Sequence, residues 1–261
     1  MTSILPRSQG ASLPAESGRQ GAVIAALAAT IATNALANSL PLNGQTTGAI
    51  SDRFPLPIIP AGYTFSIWGL IYSGLVGYAV YQALPSQRGN PRLRRVAWPF
   101  IASCAANITW LLLWHYNHFG LTLGAMLGLL LALIVADTRL GHGPRPLAEW
   151  LLARLPFSIY LGWVSVATII NVTVALYDAG WTGTEQSREL WTASLLAIGA
   201  ALATALGLAR RDPAYPLTLA WAFAGIAAKN AGTPLAGPVA MVASGAAALA
   251  AAAAALRARR P

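Results

Sequence analysis

Two apolar segments of the chain carry amide, indole and phenol side chains at helical spacing. They are Asn107, Trp110 and Trp114 in the first segment and Tyr160, Trp163 and Asn171 in the second. Intervals of three, four, seven and eleven residues place each set along one face of an α-helix. An asparagine amide that faced lipid would lack a hydrogen-bond partner, so both faces are predicted to point toward other helices or into an enclosed cavity. Such a cavity is the candidate functional site.

A third apolar segment, FSIWGLIYSGLVGYAVY, adds Phe65, Trp68 and Tyr72 at helical spacing. Trp68 and Tyr72 lie deep in this segment, where two interpretations are open: they line a cavity, or they pack in an ordinary core. The asparagines have a similar alternative, since an amide inside a membrane often bonds to another helix, contributing about 0.6 kcal/mol on average. The three faces together favour a flat pocket, because indoles offer stacking surfaces and amides orient a ligand.

Other reactive side chains give weaker signals. His115 and His118 follow the third predicted span and have the type that binds a metal or an iron porphyrin, but they are interpreted as polar residues of a wet turn. Lys229, the only lysine, is predicted to lie near a membrane boundary, and Cys104 is expected to be a small buried residue. The sequence contains no catalytic motif and no multi-cysteine metal site. Neither catalytic nor metal-binding residues are therefore predicted.

The composition is that of a membrane protein. Apolar residues make up 56% of the 261 residues, charged residues make up 10%, and the mean hydropathy is +0.56. These values lie outside the usual range of soluble domains. We predict an all-α, polytopic membrane bundle of about eight helices, each long enough to cross a hydrocarbon layer of about 30 Å. The predicted spans are 22–40, 62–84, 96–116, 119–137, 156–177, 190–209, 215–231 and 238–256.

The distribution of basic residues agrees with eight spans. In that topology the termini and the even-numbered loops share one side, which holds 13 of the 17 basic residues. The other side holds Arg53, Arg188 and Lys229, and Arg154 lies near the start of the fifth span. Because cytoplasmic loops of membrane proteins collect Lys and Arg, both termini are predicted to be cytoplasmic. The basic residues are scattered over these loops, so the net charge of +9 does not indicate nucleic-acid binding.

The first predicted span, 22–40, has two interpretations. Arg7 and Arg19 precede it and an Ala-Leu-Ala run lies near its end, which resembles a secretory signal peptide with its cleavage site. The apolar run continues beyond that point, and the basic region before it is unusually long. We therefore favour a retained helix.

Two connecting regions and one glycine pattern have predicted roles. Residues 1–21 are polar and are interpreted as a cytoplasmic tail, and the long outside loop at 41–61 is a candidate cover for the cavity. Gly120, Gly124 and Gly128 form a small-residue stripe that allows close helix packing. The stripe predicts either a contact within the bundle or the interface of a homodimer.

Three motifs, in chain order, are similar to those of one family of membrane proteins. They are IWGLIYSGLVGY with Trp68, Tyr72 and Gly77, NITWLLLWH with Asn107, Trp110 and Trp114, and YLGWVSVATIIN with Tyr160, Leu161, Gly162, Trp163, Ala167, Thr168 and Asn171. On these motifs the chain resembles the TspO/MBR family, the tryptophan-rich sensory proteins and translocator (peripheral benzodiazepine receptor) proteins. That family has five membrane helices.

The chain departs from the pattern of this family at three places. The Pro-Pro-x-Trp run before the second helix is Pro-Ala-Gly-Tyr here, ending at Tyr63, and the proline before the fifth-helix tyrosine is Ile159. No basic residue follows Tyr177 within five positions, so the sterol-recognition pattern is missing. Sterol binding is therefore not predicted.

The resemblance covers about residues 20–178 and implies three parts of the chain. These are a tail at 1–21, a TspO-like five-helix bundle at 22–178, and three additional transmembrane helices with a short basic tail at 179–261. It also implies a ligand site between the second, third and fifth helices, under the first loop. The residues that it assigns to ligand binding are Trp68, Tyr72, Asn107, Trp110, Trp114, Tyr160, Trp163, Ala167 and Asn171.

The function implied by the resemblance is that of a membrane sensor or receptor. Its ligand is expected to be a tetrapyrrole, either porphyrin or haem, or another flat apolar molecule, and no cofactor is required. The expected partners are the lipid bilayer and this small ligand. A small-molecule transporter is the first alternative, and a porphyrin-degrading enzyme that uses an indole as redox partner is the second. The high content of Arg and Ala is typical of a GC-rich bacterium, so we expect the plasma (inner) membrane.

Overall fold

The apolar segments fold as helices because a helix satisfies its backbone amides and carbonyls internally, as an apolar surrounding requires. The computed structural model describes residues 13–40 and 42–258, in which 83% of residues are helical and no strand is present. The all-α class is therefore confirmed. The eight long helices of this part are α1 (Leu13–Ser39), α2 (Ile67–Ala83), α3 (Pro91–His115), α4 (Phe119–Leu140), α5 (Leu155–Asp178), α6 (Glu185–Arg210), α7 (Ala214–Lys229) and α8 (Ala236–Ala258). Arg7 and the rest of 1–12, residue 41 and residues 259–261 lie outside the described residues.

Six of these helices, all except α2 and α7, are long and apolar enough to cross a membrane. The two exceptions have 17 and 16 residues, which corresponds to roughly 25 Å at 1.5 Å per residue. A 3-10 turn at Gly62–Ser66 continues directly into α2 and lengthens it. Length and composition thus support six candidate spans in the described residues, where the sequence predicted about eight.

The first helix begins earlier than the hydropathy predicts. α1 starts at Leu13, within the segment interpreted as a tail, because the polar residues of its first turns have buried partners on other helices. Gln20 Nε2 donates to the Gln82 carbonyl at 2.5 Å, and Glu16 pairs with Arg94 at 2.8 Å. These contacts pack the start of α1 against α2 and α3, and retention of this helix stays a prediction.

Five helices form a closed ring. Contacts run from α1 to α2, from α2 to α5, from α5 to α4, from α4 to α3, and from α3 back to α1. Asn107 of α3 accepts a hydrogen bond from Asn34 of α1 at 2.9 Å and donates one to the Tyr160 hydroxyl of α5 at 3.2 Å. One buried amide thus connects three helices, and this polar face points inward as the sequence predicts.

Successive long helices run in opposite directions. Arg19 near the start of α1 lies 3.4 Å from Gln82 at the end of α2, and Arg154 before α5 contacts Asp137 at the end of α4. We call this end, at which α1, α3, α5 and α7 begin, the basic end. It holds Arg19, Arg88, Arg92, Arg94, Arg95, Arg139, Arg145, Arg154, Arg210, Arg211 and Arg257. The opposite end is called the cover end.

The last three helices pack on one another and meet the ring mainly through α7. That helix contacts α6, α8 and α5. A Cβ on Gly162 of α5 would lie 2.9 Å from the Cβ of Thr218 and 3.1 Å from the carbonyl oxygen of Tyr215. The backbones of α5 and α7 therefore approach closely at a position where a glycine is required.

A buried ion-pair cluster joins the ring to the last three helices at the basic end. The Arg154 guanidinium donates to Asp137 of α4 and to Asp212 just before α7, and Arg210 of α6 donates to Asp137 at 2.8 Å. Ser158 adds a hydrogen bond to Asp212 at 2.7 Å. Buried charges need such partners, because an unpaired one loses its hydration without compensation. The distribution of basic residues in the sequence assigned Arg154 to neither side of the membrane. Its contacts in this cluster place it at the basic end.

The glycine stripe of α4 faces away from the rest of the described chain. Gly120, Gly124 and Gly128 are exposed, and a Cβ on any of them would meet nothing within 4 Å. The prediction of a helix contact within the bundle is therefore wrong for the described residues. A contact between two copies of the chain stays a prediction.

Arg154→Met should destabilise the protein, because it leaves two buried carboxylates without their shared partner. We expect a loss of about 3–5 kcal/mol in the free energy of unfolding, seen as a lower melting temperature of the detergent-solubilised protein by circular dichroism. Arg139→Met, which removes an exposed arginine at the same end, is the control and should melt near the wild type. Equal melting temperatures for the two variants would contradict this role of Arg154.

Candidate functional site

The five-helix ring encloses a small chamber near the cover end. Its walls come from α2, α3, α4 and α5, and residues of the segment between α1 and α2 close it. The lining residues are Thr47, Ser51, Phe65, Trp68, Trp110, Trp114, Met126, Leu129, Trp163, Val164, Ala167, Ile170 and Asn171.

Aromatic rings form much of the chamber wall. Trp110 and Trp114 of α3 stack with their ring centres 5.4 Å apart and their planes 23° apart. Trp163 of α5 meets Phe65 and Trp68 edge to face, with ring centres 5.8 and 6.2 Å away. These are the two arrangements that aromatic pairs prefer, and they present flat faces and edges to the enclosed space.

Several polar atoms of the lining are buried and have no hydrogen-bond partner among the described residues. They are the indole Nε1 of Trp110, the indole Nε1 of Trp163, the hydroxyl of Thr47 and the Oδ1 of Asn171. The amide nitrogen of Asn171, by contrast, donates to Thr122 of α4 at 2.8 Å. Because buried polar atoms are nearly always paired in proteins, these donors and acceptors are the groups that a bound molecule or water would satisfy.

The structure brings together six of the nine residues predicted to bind a ligand. They are Trp68, Trp110, Trp114, Trp163, Ala167 and Asn171. Of the other three, Tyr72 lines an adjoining groove, and Asn107 and Tyr160 are bonded to each other instead of facing the chamber. Asn107 thus forms the interhelical hydrogen bonds of the alternative interpretation, whereas Asn171 both bonds to a neighbouring helix and lines the chamber.

The chamber is small. It offers about 50 Å³ to the centres of water molecules, which is room for a few waters, whereas pockets for drug-sized ligands have about 300–1,000 Å³. A groove of about 570 Å³ adjoins it, with α1, α2 and α3 in its walls. Thr47, Phe65, Trp68 and Trp110 belong to both linings. These four residues form the partition between the groove and the chamber.

The segment at 42–66, which we call the cover, closes the chamber and is bonded to α7 and the residue that follows it. Three side chains donate to the cover: Lys229 Nζ to Asp52 at 2.9 Å, Asn230 Nδ2 to the Pro57 carbonyl at 2.7 Å, and Trp221 Nε1 to the Thr64 carbonyl at 3.0 Å. In the other direction, the Ala61 amide of the cover donates to the Gly225 carbonyl at 3.0 Å. A Cβ on Gly225 would collide with the Thr64 side chain, so the cover lies directly on this helix. The helix that packs on α5 therefore also holds the cover.

Sequence reasoning missed parts of this arrangement. Met126 and Leu129 of α4 line the chamber, but apolar residues in an apolar helix carry no pattern that distinguishes a cavity wall from lipid-facing surface. Asn34, the partner of Asn107, was also missed. Here a signal was available, because an amide within an apolar run requires a partner on another helix.

The weaker candidates lie away from the chamber. His115 is fully buried, with Nδ1 2.9 Å from the Leu111 carbonyl oxygen, so the prediction of a wet turn is wrong for this residue. His118 is exposed at the start of α4. In the described residues, no group of three or more His, Cys, Asp or Glu side chains has the arrangement of a metal site.

Comparison with known families agrees with the motifs and the fold. Residues 20–256 match the family described as TSPO-like protein. The chain belongs to this family. Comparisons with curated proteins and with solved structures gave no match. Membership in the TSPO-like family and the six apolar helices identify an integral membrane protein and indicate a sensing, ligand-binding or transport role in the membrane.

The TSPO-like match extends over the last three helices, beyond the part of the chain that contains the motifs. Gly162 of the third motif lies where α5 meets α7, and Thr218 and the Tyr215 carbonyl of α7 leave no space there for a methyl group. In this TSPO-like protein the packing of α7 therefore requires a glycine within the motif.

Asn230→Ala should loosen the cover, because it removes the hydrogen bond to the Pro57 carbonyl. A hydrogen bond of this kind stabilises a structure by about 0.5–1.5 kcal/mol. Its loss should therefore make amide hydrogen exchange in the cover about two- to tenfold faster. Asn38→Ala removes an exposed amide that bonds only within α1 and serves as the control. If amide hydrogen exchange in the cover is the same in Asn230→Ala as in the wild type, Asn230 does not hold the cover in place.

Proposed function

We propose that this TSPO-like protein is a membrane sensor or receptor that binds a tetrapyrrole, such as protoporphyrin or haem, or a similarly flat apolar molecule. The observation that carries the proposal is the chamber with its tryptophan walls and its buried, unpartnered indole nitrogens and amide oxygen. Aromatic faces stack on a macrocycle, and a small number of polar groups orients it. Family membership supports the same class of role.

The macrocycle, more than its metal, is the part that these residues would recognise. The chamber lining contains no histidine and no cysteine, and Met126 is its one residue of a type that ligates haem iron. Metal-free protoporphyrin is therefore expected to bind as well as haem. No resident cofactor is required by the proposal.

Binding requires the chamber to enlarge. The enclosed space is too small for a tetrapyrrole, but the adjoining groove has a volume of about 570 Å³, within the range of ligand pockets. Rotation of Phe65, Trp68 and Trp110, which form most of the partition, would join the two spaces. The cover must also move aside. Because it is hydrogen-bonded to α7, the last three helices would help to control access to the chamber.

We further propose eight membrane spans with both termini cytoplasmic, in a bacterial inner membrane. The alternating direction of the eight long helices and the collection of arginines at the basic end support this topology. The exposed glycine stripe of α4 supports a homodimer as an additional proposal.

Trp163→Ala should weaken protoporphyrin binding by about tenfold or more, because it removes a central wall of the chamber. The measurement is a titration of the purified protein followed by the absorbance of the porphyrin. Trp98→Ala removes an exposed indole at the basic end and should bind like the wild type. If Trp163→Ala binds as tightly as Trp98→Ala, the site assignment is wrong. Saturable porphyrin uptake by proteoliposomes would instead favour transport.

Cysteine labelling tests the topology. In a Cys104→Ala background, Thr182→Cys places a thiol at the cover end and Ser86→Cys places one at the basic end; both positions are exposed. A membrane-impermeant maleimide should label Thr182→Cys in intact spheroplasts, and Ser86→Cys only after lysis. The reverse pattern would contradict the proposed orientation.

A further inference from the structure

A pocket of about 520 Å³ opens at the basic end, between the first turns of α1 and the first turns of α3. The residues that line it are Glu16, Arg19, Pro91, Arg94, Arg95 and Trp98. None of them lines the chamber or the adjoining groove, which lie toward the cover end. The pocket is therefore separate from the site of the proposed function.

The lining of this pocket is positively charged. It contains three arginines and one carboxylate, and that carboxylate, on Glu16, lies 3.0 Å from Arg19 Nε and 2.8 Å from Arg94 Nε. Arg139 adds a positive charge beside the pocket, since its Nη1 donates to the Arg95 carbonyl at 3.1 Å. The N-terminal end of α3, which begins in the pocket, carries the positive end of the helix dipole. The lining therefore favours an anion in spite of Glu16.

Two of the arginines are open to the surroundings of the protein. The Arg94 side chain is 39% exposed, and Arg95, at the next position of α3, is also exposed. Arg94 directs its Nε to Glu16, and Arg95 donates its Nε–H to the Pro91 carbonyl at 3.1 Å. A guanidinium whose Nε is bonded in this way still carries the N–H groups of its two Nη nitrogens, which suit phosphate oxygens.

Trp98 forms the apolar side of the pocket. It follows Arg94 by four residues and Arg95 by three, so the three side chains share one face of α3. Trp98 is 63% exposed, and the same face continues with the small, exposed residues Ala102 and Ala105. Tryptophan near the end of a membrane helix is typical of the level at which headgroups meet acyl chains. The basic and apolar surfaces thus follow one another in the same order as the phosphate and the chains of a phospholipid.

We propose that this pocket binds an anionic phospholipid, with its phosphate at Arg94 and Arg95 and its acyl chains along Trp98. Clusters of basic residues beside a membrane helix attract the anionic lipids of the cytoplasmic leaflet, which the basic end faces in the topology proposed above. A free phosphate ion would use the arginines but not Trp98. The segment before α1 is a less suitable occupant, because residues 1–12 include Arg7 and no acidic residue.

Native mass spectrometry of the purified protein in detergent tests the charged part of this pocket. The protein is incubated with phosphatidylglycerol or with phosphatidylcholine of the same chain length, and the retained lipid is measured. Wild type should retain phosphatidylglycerol in preference to phosphatidylcholine, and Arg95→Gln should retain about fivefold less phosphatidylglycerol. Arg257→Gln, which removes an exposed arginine of α8 at the same end but outside the pocket, is the matched control and should behave like the wild type.

A second variant distinguishes a phospholipid from a free anion. Trp98→Ala leaves the arginines in place and should also retain less phosphatidylglycerol, because it removes the apolar contact with the chains. Both variants change exposed residues, so their melting temperatures without added lipid should equal that of the wild type. Equal retention of phosphatidylglycerol by wild type and Arg95→Gln would overturn the site. Wild-type retention by Trp98→Ala, or displacement of the lipid by inorganic phosphate, would overturn a phospholipid as the occupant.

Discussion

The amide of Asn107 is the contact on which the ring and its chamber depend. In an apolar bundle an unpaired amide is costly, and this one is paired on both sides, accepting from Asn34 and donating to Tyr160. The two bonds connect α1, α3 and α5 and fix how α3 is rotated. With that rotation, Trp110 and Trp114, three and seven residues further along α3, turn into the enclosed space. Asn107 thus supports the site from outside the chamber lining.

The last three helices complete this arrangement at both ends of the ring. At the basic end, Arg154 joins α4 and α5 to α6 and α7 through buried carboxylates. Midway, Gly162 lets α7 lie close to α5, and at the cover end Gly225 receives Thr64 of the cover. The same helix therefore fixes the position of α5 and of the cover. The position of the cover over the chamber therefore depends on helices that do not line it.

Part of the fold and of the candidate site could be predicted from the sequence. Apolar windows located all eight long helices, and amide and indole spacing identified the inward faces, because burial of polar groups obeys simple rules. Hydropathy placed the start of α1 too late, since Glu16 and Gln20 are buried by pairing with other helices. The α4 wall at Met126 and the attachment of the cover to α7 depend on which helices are neighbours. The spacing of residues along one helix does not show which other helices pack against it.

The proposed binding of a flat ligand among the chamber indoles can be followed through the indole N–H signals of nitrogen-15-labelled protein. Trp110 and Trp163 have buried indole nitrogens without a partner, whereas Trp98 lies exposed at the other end. On addition of protoporphyrin, the Trp110 and Trp163 signals should shift strongly and the Trp98 signal should stay in place. Shifts confined to Trp98, or no shift at either chamber indole while the porphyrin binds, would contradict binding in the chamber.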